Sequence, residues 1–248
     1  MREARKILAE LTRAYHRAEA KFSKLEVMPS KRQTIAAHIA GIDIDLHNLG
    51  ITIANADKRI NRNEKIPAAA KVVSLSDQDA AMIVKGERET VVGYKPQLGR
   101  PKKNGLITAL IVPEGNAADS AQLRPTVDAS IRRTGVIPSV LSFDDGYTNT
   151  KDRDYYLGQG VDVVSFSGAK GRNIIPAADY DSQPYKEARN DRSAVESLMF
   201  TMKHNHDMDR VMRRSLDSVR SELAEKVIAY NFLRIITLRQ RRRNQSAA

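Results

Sequence analysis

The chain has 248 residues, 41% of them hydrophobic, and 41 Lys and Arg against 30 Asp and Glu give a formal net charge of +11. That length and apolar content suit one large or two small globular domains, and the absence of cysteine excludes disulfides, thiolate nucleophiles and thiolate zinc sites. No apolar run approaches the roughly 20 residues that cross a bilayer, the charged N-terminus MREARKILAELTRAYHRAEAKF has no signal-peptide core, and the excess of cations points to a polyanion, most simply nucleic acid.

Residues 1–60 predict two helices. Leu8, Leu11, Tyr15, Ala18, Phe22 and Leu25 are spaced by threes and fours, and so are Ile35, Ile39, Ile42, Leu46, Leu49, Ile53, Ala56 and Ile60. Such spacing is the seam of a coiled-coil-like pair. Pro29 and Ser30 fall between the two runs, so the pair reads as an antiparallel hairpin. Gly41 and Gly50 weaken the second helix locally, and Asp43 and Asp45 read as solvated charges off the seam.

After a polar, then Pro-Ala, linker at 61–70 the period changes. Val91, Val92 and Tyr94 start a strand that runs towards Leu98, the basic turn RPKKN (100–104) follows, and Leu106 to Val112 form a near-continuous apolar strand of the kind buried on both faces. The two strands predict an antiparallel hairpin. Residues 117–134 predict a helix with Asp119 or Ser120 as cap, Leu123, Val127 and Ile131 on its apolar face and Gly135 as its end. Val140, Leu141 and Phe143 form a strand that closes on Asp144, Asp145, Gly146 and Tyr147. A helix at 150–159 and a strand from Val161 to Phe166 complete a mixed α/β core with a crossover and an antiparallel edge. Residues 167–183 read as irregular; their SGAKGRN lacks the Walker spacing, so no nucleotide site is expected there. From Asn190 the chain reads as helical nearly to its end, which carries a basic cluster from Arg239 to Arg243.

Two places carry chemistry. Asp144 stands at the carboxyl end of a predicted buried strand, where ligands of α/β sheets bind, and an acid there is a ligand for a hard cation such as Mg²⁺. An Asp-Asp-Gly turn with no metal is the plainer reading of that motif alone. Further on, Arg192, Glu196 and Lys203 lie four and seven residues apart and so share one helix face. The acid can ligate a metal while the cations hold phosphate oxygens; a surface ion-pair ladder has the same spacing. His204 and His206 lack further ligands at zinc spacing, so they read as solvated or DNA-facing.

The set VVGYKPQL, LIVPEGNAADS, SFDDGY and RNDRSAVESLMFTMK, in that order over residues 70–235, resembles the DDE transposases of bacterial insertion sequences. The resemblance implies an α/β fold with an RNase H-like mixed sheet and flanking helices, here preceded by an α-helical hairpin. It makes Asp144 the second acid of the family, with Asp145 in the variable place. Arg192, Glu196 and Lys203 match the R, E and K of the motif Y-(2)-R-(3)-E-(6)-K, while Arg189 stands at the Tyr position. Gly115, Asn116 and Asp119 also look family-like and receive no catalytic role. The implied chemistry is Mg²⁺- or Mn²⁺-dependent strand cleavage and strand transfer at transposon ends, with Asp144 and Glu196 as catalytic and metal-binding acids. Arg189, Arg192, Lys203, Arg241, Arg242 and Arg243 are the expected DNA contacts. The expected partners are double-stranded DNA and further copies of the chain, with no membrane and no small-molecule substrate, in a bacterial cytoplasm at the nucleoid.

The family's first Asp has no counterpart on a strand before residue 70. We expect it to be missing from this chain, with Asp77 or Asp79 as the other candidates, and therefore expect little strand transfer by the chain alone. The expected organisation is a hairpin at 1–62, an incomplete RNase H-like core at 63–237 and a basic tail at 238–248. Two other functions compete: a non-catalytic remnant that binds DNA or pairs with and inhibits an intact transposase, and an acid-pocket phosphate-handling domain such as a receiver or phosphatase. The last leaves the Arg192–Glu196–Lys203 helix and the net charge unexplained.

Overall fold

The structure is a computed structural model that describes residues 1–67, 70–85 and 89–246. The chain divides into two compact units, Met1–Ala80 and Ala81–Ala248.

The first unit is built on helices α1 (Arg2–Ser23) and α2 (Pro29–Asn61). Ala, Leu, Glu, Lys and Arg dominate α1 and favour helix intrinsically, and Pro29 opens α2 where its missing N–H costs nothing. The turn is therefore 24–28, one step earlier than Pro29 and Ser30 suggest. The helices run antiparallel. Arg5 donates to Asp57 at 2.8 Å, Leu8 packs beside Gly50, and the Arg32 guanidinium sits 5.1 Å from the centre of the Phe22 ring. Asn61, Arg5 and Arg62 together hold the Asp57 carboxyl below its ordinary range, the Asn61 hydrogen bond being the largest influence. Leu8, Tyr15, Phe22, Ile35, Ile39, Leu46, Leu49 and Ile53 are shielded as the spacing predicts, but Leu11, Ala18, Leu25, Ile42 and Ile60 are not. A pair of helices has one contact line, and residues a step off it stay exposed. Ile53, 9% exposed, is the single buried residue of the two helices.

The second unit holds strands β1 (Ala81–Lys85), β2 (Glu89–Gly93), β3 (Gln97–Gly99) and β4 (Ala109–Ile111), helix α3 (Asp119–Thr134), strand β5 (Val140–Phe143), helix α4 (Thr150–Gly158), strand β6 (Val163–Phe166), and helices α5 (Ala169–Ile174), α6 (Ala177–Tyr180), α7 (Gln183–Asn190), α8 (Ser193–Asn205) and α9 (Leu216–Ser246). Among the described residues the strands pair as β1 with β2 and β3 with β4, both antiparallel, and β5 with β6, parallel. The hairpin around RPKKN is present as expected, though its second strand is three residues rather than the whole apolar run. The strand predicted from Val91 to Leu98 is two strands, and β1 is an element the sequence reading did not include. Residues 167–183 are not irregular. Gly171 lets α5 pack so tightly on β6 that a Cβ there would lie 2.6 Å from the Phe166 Cβ. Residues 206–215 interrupt the long C-terminal helix, with Asp207 and Ser215 at positive φ.

Two apolar clusters form the core of this unit. Leu123, Val127, Tyr156, Val164, Phe166 and Tyr185 bring α3, α4 and α7 around β5 and β6. Leu198, Met202, Val219, Leu223 and Val227 bring α8 and α9 against Ile107 and Val112 beside β4. Each such side chain contributes about 1.5–3 kcal/mol on burial. Polar bonds then set the register. Asn231 on α9 accepts from the Ile107 amide at 2.8 Å and donates to the Ile107 carbonyl at 2.9 Å. The Tyr185 hydroxyl accepts from the Phe166 amide at 2.9 Å and donates to the Phe166 carbonyl at 3.0 Å, closing the free edge of β6. In the loop between α8 and α9, Lys226 donates to the carbonyls of Asp207 and Arg210, and Glu222 accepts from the amides of Met212 and Arg213.

Candidate active site

The parallel register of β5 and β6 pairs Phe143 with Phe166, so Asp144 and Ser167 come next beyond the carboxyl ends of both strands. Ser167 Oγ donates to Asp144 Oδ1 at 3.2 Å. The same oxygen accepts the Asp145 amide at 2.8 Å, which makes Asp144 the cap of a short 3-10 turn, Asp145–Tyr147. Asp145 faces the other way: its Oδ1 accepts the Gly171 amide at 3.0 Å and its carboxyl abuts Gly168, whose φ of +98° suits glycine. Adjacent in sequence, the two acids thus have separate tasks, and Asp144 is the one left open, its side chain 61% exposed.

Glu196 stands in the first turn of α8 and Arg192 at its N-cap. The Arg192 guanidinium joins the two acids, with Nη1 2.9 Å from Asp144 Oδ1 and Nη2 2.8 Å from Glu196 Oε1. Carboxylates 52 residues apart in sequence are therefore both within hydrogen-bond reach of one side chain, and the Arg192–Glu196 half is also the i,i+4 ion pair that helix spacing allows. Lys203 lies on α8 seven residues past Glu196, half-buried, with no ion pair among the described residues. Arg189 is turned instead to the Tyr180 ring, 5.1 Å from its centre. Arg241, Arg242 and Arg243 are exposed on the last turns of α9, which remains helical to Ser246 rather than ending in an extended tail.

A polar cluster supports the Asp144 turn from below. Tyr147 donates its hydroxyl to Gln97 Oε1; Gln97 donates to Asp119 at 3.3 Å, and Lys95 pairs with Asp119 at 2.8 Å. Burial, then the charges of Asp119 and Asp144, push the Tyr147 hydroxyl far above its ordinary range. Asp119 and Ser120 do not cap α3: they are its first two residues and Ala118 is its N-cap, while the Asp119 side chain is taken by these partners. Gly146 fits against it, a Cβ there lying 3.0 Å from Asp119 Oδ2. Sequence reading gave Lys95 and Gln97 no role; nothing in their local pattern marks them, since their partners come from α3 and the 3-10 turn.

Chemically, Asp144 and Glu196 offer oxygen donors that face solvent. That suits a hard divalent cation, which takes one or two protein carboxylates and keeps several waters. No group of three or more His, Cys, Asp and Glu among the described residues is arranged to hold a metal ion. Asp77 and Asp79 belong to the first unit, where the Asp77 amide donates to Ser74 Oγ at 3.1 Å and its carbonyl accepts from Ala80 at 3.3 Å. No helix among the described residues is long and apolar enough to cross a membrane.

A family model described as "Transposase DDE domain" matches residues 77–232. No curated protein and no solved structure matches the chain.

Proposed function

The chain belongs to the transposase DDE-domain family, and from that premise we propose that it acts on duplex DNA at the ends of an insertion sequence, with Asp144 and Glu196 as two of its catalytic acids. The mixed α/β order with an N-terminal helical hairpin is that of an RNase H-like DDE domain. The observation that carries the proposal is the single Arg192 guanidinium bound to both carboxylates.

Asp144 and Glu196 would hold Mg²⁺ or Mn²⁺, which when bound supplies Lewis-acid stabilisation of charge on the phosphodiester and activates the attacking oxygen. The protein's own groups do the positioning. Ser167 and the Asp145 amide fix the Asp144 carboxylate through its Oδ1. Arg192 holds the two acids in the free protein, and were they to hold an ion its planar fork would be free for phosphate oxygens. Lys203, on the same helix, adds a second cation, and Arg189 and Arg241–Arg243 contact the DNA backbone without reading sequence. The division into a hairpin at 1–62, a core at 63–237 and a basic end at 238–248 belongs to the same reading.

The competing reading is a DNA-binding or oligomerising module without turnover. Cleavage of a duplex carrying the flanks of the chain's own gene, with Mg²⁺ or Mn²⁺, separates them. We expect cleavage to be lost in E196Q and in D144N. Salt-sensitive binding with no cleavage under any of these conditions would replace the enzyme by the binding module.

A further inference from the structure

Arg100, just after β3, and Arg234, on α9, meet at the turn around Gly105. Arg100 Nη1 donates to the Ala194 carbonyl at 2.8 Å and Arg234 Nε to the Asn104 carbonyl at 2.8 Å. Gly105 has φ of +68°, and a Cβ built on it would lie 3.1 Å from Arg100 Nη2 and 3.3 Å from Arg234 Nε and Nη2. Two guanidinium groups thus crowd one point. Neither has a carboxylate partner among the described residues, whereas Arg153, Arg192, Arg213 and Arg220 each have one. Arg100 Nε is buried with no hydrogen-bond partner.

Beside this pair opens a pocket of about 320 Å³, lined also by Ser197, Thr201, His206 and Tyr230. No acid lines it. Like charges held this close repel, and an anion between them attracts both and offsets the repulsion. The wall offers guanidinium N–H groups and hydroxyls, the donors that an oxyanion with only acceptor oxygens requires. The pocket shares helix α8 with Glu196, since Ser197 follows it directly.

We propose that the Arg100–Arg234 pocket binds a phosphate group of the DNA backbone, as a contact separate from Asp144 and Glu196. The proposal rests on the reading of the chain as a DNA transposase. Its geometry accounts for two features at once: paired guanidiniums without acids among the described residues, and a glycine whose Cβ would fill the space between the cations.

The test is binding of a random-sequence duplex by fluorescence anisotropy across NaCl concentrations, in EDTA so that the acidic site plays no part. R234Q keeps a donor for the Asn104 carbonyl and removes the charge. T237E, at a half-exposed position on the pocket wall, sets a carboxylate one turn from Arg234 and serves if R234Q does not fold. Either variant should reduce the slope of log Kobs against log[salt] by about 0.9, the value of one phosphate contact on B-DNA. A folded variant with the wild-type slope overturns the proposal. So does a pocket specific for free phosphate, seen as inorganic phosphate raising the wild-type Tm but not that of R234Q while the DNA slopes coincide. If wild-type protein shows no salt-dependent DNA binding at all, the transposase reading itself fails, a result distinct from either.

Discussion

Replacing Arg192 with Gln should make the free protein bind Mn²⁺ more tightly while cleaving DNA less. In the structure Arg192 occupies both carboxylates that a divalent ion would use, at 2.9 and 2.8 Å. The side chains of Asp144 and Glu196 are 61% and 62% exposed, so each ion pair is screened and worth about 0.2–1 kcal/mol. An ion must displace both, roughly 1 kcal/mol together. Arg192 also repels the ion. At a separation of about 5 Å in water-like dielectric that repulsion is about 1.7 kcal/mol, reduced to roughly 1 kcal/mol by physiological salt. The sum, about 2 kcal/mol, corresponds to an affinity gain of roughly thirtyfold. Mn²⁺ titration followed by electron paramagnetic resonance, without DNA, reads it directly. R192K, which keeps the charge, should gain much less. Unchanged or weaker Mn²⁺ binding in a folded R192Q protein would refute the reasoning, because the carboxylates would then not be an ion site in competition with the guanidinium.

Other outcomes follow from the packing. G171A forces a methyl to within 2.6 Å of the Phe166 Cβ and 2.9 Å of its carbonyl oxygen; overpacking of this kind costs about 1–3 kcal/mol, visible as a Tm lower by about 2–4 °C per kcal/mol. N231A leaves both backbone groups of the buried Ile107 without their partner, a loss of about 2–4 kcal/mol that urea unfolding would measure, with faster amide exchange at Ile107. Glu222 is buried, which by itself raises its carboxyl, but the Lys226 ammonium and the Arg213 and Met212 amides outweigh that and hold it below its ordinary range. Its contribution to stability is therefore complete above the unfolded value of about 4.3 and is lost as pH falls through the lower folded value. E222Q should flatten the acid limb of the stability curve, and E222L, which leaves two amides without their acceptor and Lys226 without its counter-ion, should cost about 3 kcal/mol by urea titration at neutral pH.

What could be read from sequence was what local spacing determines. Leu8, Tyr15 and Phe22 recur every seven residues and announce the hairpin, and Gly135 ends α3 with φ of +68° because glycine accepts that conformation. Spacing does not say which of two neighbouring stripes meets the partner helix, so Leu11 and Ile42 were placed on a seam they do not join. The interruption at 206–215 has no Gly or Pro to mark it; it is held by Glu222 and Lys226 from the following helix, and a contact between elements has no local signature. The candidate site divides in the same way. Asp144 at a strand end and Glu196 four residues after Arg192 are visible in the chain, but one arginine bound to both depends on the fold bringing the N-cap of α8 beside Asp144. The pairing of Arg100 with Arg234, 134 positions apart, lies equally beyond any local pattern.

The segment between α8 and α9 is held mostly by its main chain. Glu222 and Lys226 grasp amides and carbonyls of Asp207, Arg210, Met212 and Arg213, groups that every non-proline residue possesses. Met208 is buried and the Arg213 side chain binds Glu225, but among the described residues Asp209, Arg210, Met212 and Arg214 contribute no side-chain hydrogen bond or ion pair to that hold. A connection built this way has its length prescribed and much of its lettering free. Substitution at those four positions should leave the path of the chain intact, so this is where related proteins could diverge, acquire new surface chemistry or accept an engineered tag without disturbing the helices on either side.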